Sequence, residues 1–260
     1  MEPWLADFLI FVAVGFFAQL IDGALGMGYG VISATVLLAT GVPPAHTSAS
    51  VHAAKLFTTA ASGTSHILHG NVDKRILIIL CITGSAGGIL GAMVLVNVAG
   101  DAIRPFVFGY LGVMGLVIIW RGLMFPASKT VPGKFIAPLG TVGGFLDAMG
   151  GGGWGPVVTS SLIGAGAPPR YVVGTVNAAE FVVTCAVVSA FAATILFGVW
   201  AEAHGIGDHL TAIAGLVIGG LPAAFFAGWL LKVAPRKPLM IAVGLLICGI
   251  ASWELSKALF

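Results

Sequence analysis

Ten apolar runs occupy almost the whole of the 260-residue chain, and any fold must satisfy them first. They cover about residues 4–21, 27–41, 46–69, 76–97, 103–122, 135–147, 154–166, 171–197, 209–231 and 238–257. Charged residues make up only 8% of the chain, where a soluble domain carries roughly 25%. Mean hydropathy is +1.05. A water-soluble fold of this length has too little interior for that much apolar surface, so lipid must solvate the outer face. Transmembrane strands would read as alternating segments of about 10 residues. These runs are long and continuous, which predicts an all-α polytopic membrane protein.

The remaining composition excludes several classes. A net charge of +2 offers no basic surface for nucleic acid. Cys81, Cys185 and Cys248 each lie alone inside apolar runs, without the paired spacing of a zinc site or a disulfide framework. No cofactor or bound metal is expected. The first segment lacks the basic start and cleavage site of a signal peptide, so it is expected to be retained.

The chain also reads as one unit written twice. Setting Asp22 on Asp147, 125 residues later, gives an ungapped match over about forty residues. Gly15, Gly26, Gly28 and Gly30 fall on Gly140, Gly151, Gly153 and Gly155, and Tyr29 falls on Trp154. Pro43-Pro44 falls on Pro168-Pro169, Lys55 on Glu180 and Thr59 on Thr184. This predicts a membrane repeat over 1–125, a cytoplasmic linker over 126–134 and a second repeat over 135–260.

The first two segments of each half read as short. Residues 27–41 would span about 22 Å as a helix, less than a hydrocarbon core of about 30 Å. Each half is therefore expected to hold a broken or re-entrant helical hairpin plus three transmembrane helices. Either five segments per half or a hairpin plus three is an odd number of crossings, which inverts the second half. Lys74, Arg75, Arg121, Lys129, Lys134, Arg170, Lys232, Arg236 and Lys237 then share one side, leaving Arg104 and Lys257 on the other. The positive-inside rule makes that side the cytoplasm and both termini periplasmic, in a bacterial inner membrane.

The tandem repeat opens in each half on an Asp-Gly-rich segment, Asp22-GALGMGYG and Asp147-AMGGGGWGP, followed by a proline turn. In this it resembles the sulfite exporter TauE/SafE family over essentially its whole length. The resemblance implies a secondary transporter of small anions, chiefly sulfite and organosulfonates; the function expected here is proton-coupled export of such an anion or a related oxyanion. A homodimer is one assembly left open.

Paired Gly-interrupted helices at matching places in two halves point to a transporter's substrate site. Residues 26–30 and 151–155 would unwind and offer backbone N–H groups and helix N-termini to an oxyanion, with Tyr29 and Trp154 walling the cavity. The competing reading is close helix packing through glycine. Asp22 and Asp147 each end a helix and enter a Gly loop. They would relay protons, or cap loop N–H groups. Ser48, His52, Lys55, Thr59, Ser62, His66 and His69 fall at spacings of three and four, one face of a helix. Asn177, Glu180 and Thr184 match His52, Lys55 and Thr59 in the second half. Lys55 and Glu180 each lie about 15 Å past a proline turn and are expected to meet across the two-fold axis. They would brace the halves, or Lys55 would attract the anion while Glu180 or His52 takes the proton. His66 and His69 lack a third metal ligand, and His204 and His209 read as a solvated loop with Glu202 and Asp208.

Three other functions remain rivals. A passive anion channel differs from a carrier only in coupling. A divalent-metal transporter would want more carboxylates and thiolates. An aspartyl intramembrane protease would want glycines before its aspartate, and here they follow it.

Overall fold

The computed structural model describes residues 3–98, 100–124, 132–201, 203–233 and 235–259, and every regular element among them is helical. Residues 126–131 of the expected linker, and Glu202, lie outside the described residues. The first half holds α1 (Pro3–Leu25), α2 (Tyr29–Ala39), α3 (Pro44–Leu68), α4 (Lys74–Val96) and α5 (Gly100–Leu123). The second holds α6 (Gly133–Gly150), a π-helical turn at Gly155–Thr159 running into α7 (Ser160–Gly164), then α8 (Pro169–Leu196). A 3-10 segment at Ala203–His209 leads into α9 (Leu210–Phe225), followed by α10 (Ala227–Val233) and α11 (Arg236–Leu259).

Local chemistry explains where these helices start. Pro44 and Pro169 take the first position of α3 and α8, preceded by extended Pro43 and Pro168. Proline has no N–H to lose there and its φ suits a first turn. The Asp73 carboxylate caps α4, accepting from the N–H groups of Arg75 and Ile76 at 2.9 and 3.1 Å.

Leu5–Leu25, Lys74–Val96, Pro169–Leu196 and Ala203–Phe225 are long and apolar enough to cross a membrane, and the protein is multi-pass. Phe17, Ile82, Phe106, Leu116, Ile218 and Trp253 stand exposed on helix surfaces, as lipid-facing residues do. α3 is 25 residues long, yet its face of hydroxyls, imidazoles and one ammonium makes it too polar for lipid. It is buried instead, against α8 and α9.

Helices pair in a pattern that survives exchange of the halves. α1 packs on α9 and α4 on α6, while α3 packs on α8 and α5 on α11. Swapping α1 with α6, α4 with α9, α3 with α8 and α5 with α11 returns the same list. Small residues allow the close approaches. Gly87 and Gly91 of α4 lie against the α6 backbone, Gly144 of α6 lies against the Gly84 carbonyl, and Gly15 and Gly219 line the α1–α9 contact.

Two expectations need correction. The leading segments of the two hairpins are not short: α1 has 23 residues and α6 has 18, both running past their aspartates. Only the second members are short, 11 residues in α2 and 10 in Gly155–Gly164. The segment expected at 209–231 is not continuous either. Ser65 of α3 wedges into it, donating to Phe225 O at 2.9 Å and accepting from Gly228 N at 3.0 Å. A side chain that takes over ladder bonds in this way breaks a helix.

Candidate functional site

The two Gly-rich breaks have matching geometry. At each, a left-handed glycine ends the first helix: Gly26 at φ 68° and Gly151 at φ 72°. Their N–H groups bond back to Asp22 O and Asp147 O at 2.6 and 2.7 Å. Each aspartate then turns its carboxylate onto the start of the next helix. Asp22 Oδ1 accepts from Tyr29 N at 3.4 Å, and Asp147 Oδ1 accepts from Trp154 N at 3.1 Å. Both aspartates therefore cap, from the last turn of one helix to the first of the next.

The breaks cross in backbone contact. Thr159 Oγ1 donates to Gly26 O at 2.7 Å. A Cβ on Gly152 would stand 2.5 Å from Val31 N, and one on Gly155 would stand 2.5 Å from Met27 Cα. Gly30 faces the Gly151 carbonyl with as little room. The glycines thus serve close packing, whatever else they do.

Lys55 reaches this crossing from the middle of α3. Its ammonium donates to Asp147 Oδ2 at 2.8 Å and Oδ1 at 3.1 Å, and lies 2.6 Å from Glu180 Oε1. His52, one turn earlier, places Nε2 3.1 Å from Asp147 Oδ2. All four side chains are buried. The expected Lys55–Glu180 contact is present, and Asp147 is a second partner that spacing did not reveal. A narrow crevice is lined by Asp22, Gly28, Gly30, Lys55, Asp147, Gly155 and Glu180, with Val31, Gly152 and Pro156. One ammonium faces three carboxylates there.

Other predicted site residues lie elsewhere. Tyr29 and Trp154 do not wall the crevice. Tyr29 Oη donates to Leu216 O at 3.1 Å, and Trp154 Nε1 donates to Val176 O at 3.0 Å. Their rings fill helix interfaces, with Tyr29 against Gly220 and Trp154 against Gly84, so they anchor the breaks. Gly26, Gly151 and Gly153 shape the turns without lining the crevice. Asn177 braces α3 to α8: its Oδ1 accepts from Ser62 Oγ at 2.8 Å and its Nδ2 donates to Val173 O at 3.3 Å.

The polar face of α3 is buried from Ser48 to His66 and surfaces at His69. Arg170, one of the charges expected on the cytoplasmic side, clamps the turn after α3 by donating to Asn71 Oδ1 at 2.7 Å and His69 O at 3.0 Å. At the other end, ring contacts run from His52 to Phe191, Trp200, His46 and His209, with centroid spacings of 6.4, 5.7, 5.0 and 5.4 Å. The loop holding His209 is thus folded onto the head of α3, while His204 and Asp208 stay exposed. Among the described residues, no group of three His, Cys, Asp or Glu is placed to hold a metal ion.

Apolar helices around a buried ionic centre at two crossed breaks define a multi-pass membrane protein of the transporter class. The model of the sulfite exporter TauE/SafE family matches residues 11–253, and the chain belongs to that family, one of membrane transporters rather than enzymes. It is 43% identical over 243 residues to the probable membrane transporter protein YtnM of Bacillus subtilis (strain 168), covering 91% of this chain and 78% of that protein. It is 30% identical over 149 residues to the probable membrane transporter protein ORF9 of Sinorhizobium sp, covering 56% of each. No solved structure matches the chain.

Proposed function

We propose that this transporter carries a small oxyanion, sulfite or an organosulfonate, across the bacterial inner membrane by a proton-coupled alternating mechanism. The observation that carries the reading is Lys55, a buried ammonium at the crossing of two helix breaks, in a crevice lined by the first residues of the helices that follow them. The breaks belong to two repeats, 1–125 and 135–260, joined by a cytoplasmic linker at 126–134. The repeats insert with opposite orientation, so both termini face the periplasm and the crossing lies near the midplane.

Charge makes coupling necessary. An oxyanion entering beside Asp22, Asp147 and Glu180 meets like charge, so Lys55 becomes available to it only as protons neutralise the carboxylates. Buried polar atoms of Gln19, Ser33, Ser50 and Thr184 have no hydrogen-bond partner among the described residues. Each lies within about a helical turn of Asp22, Gly30, His52 or Glu180. Unmet buried groups of this kind are rare, and a polar solute passing between the halves would satisfy them. Sulfite leaving as the dianion together with one proton still carries one negative charge, which an inside-negative membrane expels with about 2.3 kcal/mol per 100 mV.

Purified protein in liposomes tests this reading with labelled sulfite and isethionate. Saturable flux that responds to an imposed pH gradient is expected. Flux that neither saturates nor responds to pH would establish the channel, and flux of a divalent metal but of neither anion would end the anion reading.

A further inference from the structure

We propose that His52 and Asp147 hold a proton between them, and that this proton moves in the same direction as the anion. The second clause rests on the oxyanion-transport reading; the first does not.

The proton follows from counting donors. Ser48 Oγ has one hydrogen and gives it to Ala148 O at 2.5 Å. It can therefore only accept from His52 Nδ1, 3.3 Å away. The other group on Nδ1 is Ser48 O at 2.8 Å, a carbonyl that only accepts. Nδ1 must therefore carry a hydrogen, and a neutral imidazole then has a bare Nε2. Yet Nε2 stands 3.1 Å from Asp147 Oδ2. Two lone pairs do not face each other in a dry interior at that distance, so one more proton sits between them, on either atom.

The surroundings give that proton its consequence. From α3, Lys55 donates to both Asp147 oxygens. From α8, Glu180 holds Lys55, and Phe191 lies 6.4 Å from the His52 ring. From the break, Trp154 N–H donates to Asp147. Asp22 of α1 shares the crevice, and the Tyr110 hydroxyl of α5 lies against Gly153. With the proton, the group of His52, Lys55, Asp147 and Glu180 is neutral. Without it the group carries one net negative charge, and Asp22 adds to it. An anion is then accepted with the proton in place and repelled once it leaves, so the two travel together.

Two measurements decide the matter. The first needs no substrate. Protein labelled with ¹⁵N-histidine in lipid nanodiscs is compared with His52→Gln, and with Asp147→Asn as a second assignment should the first variant fold poorly. The expected result is a His52 ring with Nδ1 protonated and with Nε2 either protonated or bonded to an acid whose infrared C=O band disappears in Asp147→Asn. A bare Nε2 with no such band overturns the bound proton.

The second uses isethionate in liposomes with the voltage clamped at zero, because its sulfonate takes up no proton of its own. A one-unit pH gradient should accumulate isethionate about ten-fold on the alkaline side at one proton per anion. In His52→Gln that ratio should fall to about 1, whatever the absolute rate. Accumulation on the acid side overturns the direction, and an unchanged ratio in the variant overturns the assignment to His52. If the wild-type protein moves neither isethionate nor sulfite, the transport reading fails and the coupling clause falls with it, while the spectra still decide the proton.

Discussion

Lys55 and Glu180 occupy the same position in the two halves of the chain, 125 residues apart, and touch at 2.6 Å. Under the proposed repeat, such a contact lies near the axis relating the two halves. Their neighbours divide the centre by charge. The first half supplies His52 and Lys55, where the second supplies Asn177 and Glu180. The first half thus meets this contact with basic groups and the second with an amide and an acid, and Asp147 is bound to the basic side.

Substitutions at the axis should not be equivalent. Lys55→Met leaves Asp147 and Glu180 buried without their shared cation, a cost of roughly 3–5 kcal/mol. Glu180→Gln removes one of two partners and keeps a hydrogen-bonding group, so about 1 kcal/mol is expected. The double variant should regain only part of the Lys55→Met loss, because Asp147 still lacks its lysine. Thermal unfolding in detergent should rank Glu180→Gln first, the double variant next and Lys55→Met last. Full recovery in the double variant would mean that Asp147 contributes nothing to the lysine.

The two aspartates should also respond differently. Asparagine keeps a side-chain oxygen that accepts an N–H, so Asp22→Asn preserves its cap and should cost about 1 kcal/mol or less. Asp147→Asn preserves the same cap but removes the charge facing Lys55 and His52, and about 3–5 kcal/mol is expected. Equal shifts in melting temperature would show that Asp147 acts as a cap alone.

Glycine substitutions separate packing from flexibility. Gly152→Ala drives a methyl group into the Val31 backbone, and Gly30→Ala drives one into Gly151, so both should lose folded protein. Gly28→Val meets Ile21 and a φ of 141°, a conformation that a β-branched residue resists. Gly109→Ala in α5 has open space, and should be neutral or gain roughly 0.5–1 kcal/mol as a better helix former. Monodisperse yield by fluorescence-detected size exclusion checks all four. A well-behaved Gly152→Ala protein would show that the breaks do not cross as described.

Membrane orientation is tested by labelling single cysteines, Lys134→Cys and Ser256→Cys, after replacing Cys81, Cys185 and Cys248. An impermeant maleimide added to intact cells should reach the cysteine at 256 and not the one at 134. Labelling of both from one side would rule out repeats of opposite orientation.

Hydropathy alone determined that the chain is helical and lives in lipid, because runs this long and this poor in charge have no other solvent. The repeat offset matched Lys55 with Glu180, and the contact formed because the two helices that carry them pack together. The Asp-Gly pattern marked both helix breaks, because only glycine adopts the left-handed turn at residues 26 and 151 without strain. Tertiary structure decided the partners. Helical period says which residues share a face, but not which distant side chain that face will meet. Asp147, 92 positions from Lys55, became its second counter-ion only because the breaks cross. Ser65 split the ninth helix from the tenth only because α3 lies against them. Tyr29 and Trp154 turned away from the crevice because their ring polar groups found helix carbonyls, and a buried donor must find an acceptor wherever packing offers one.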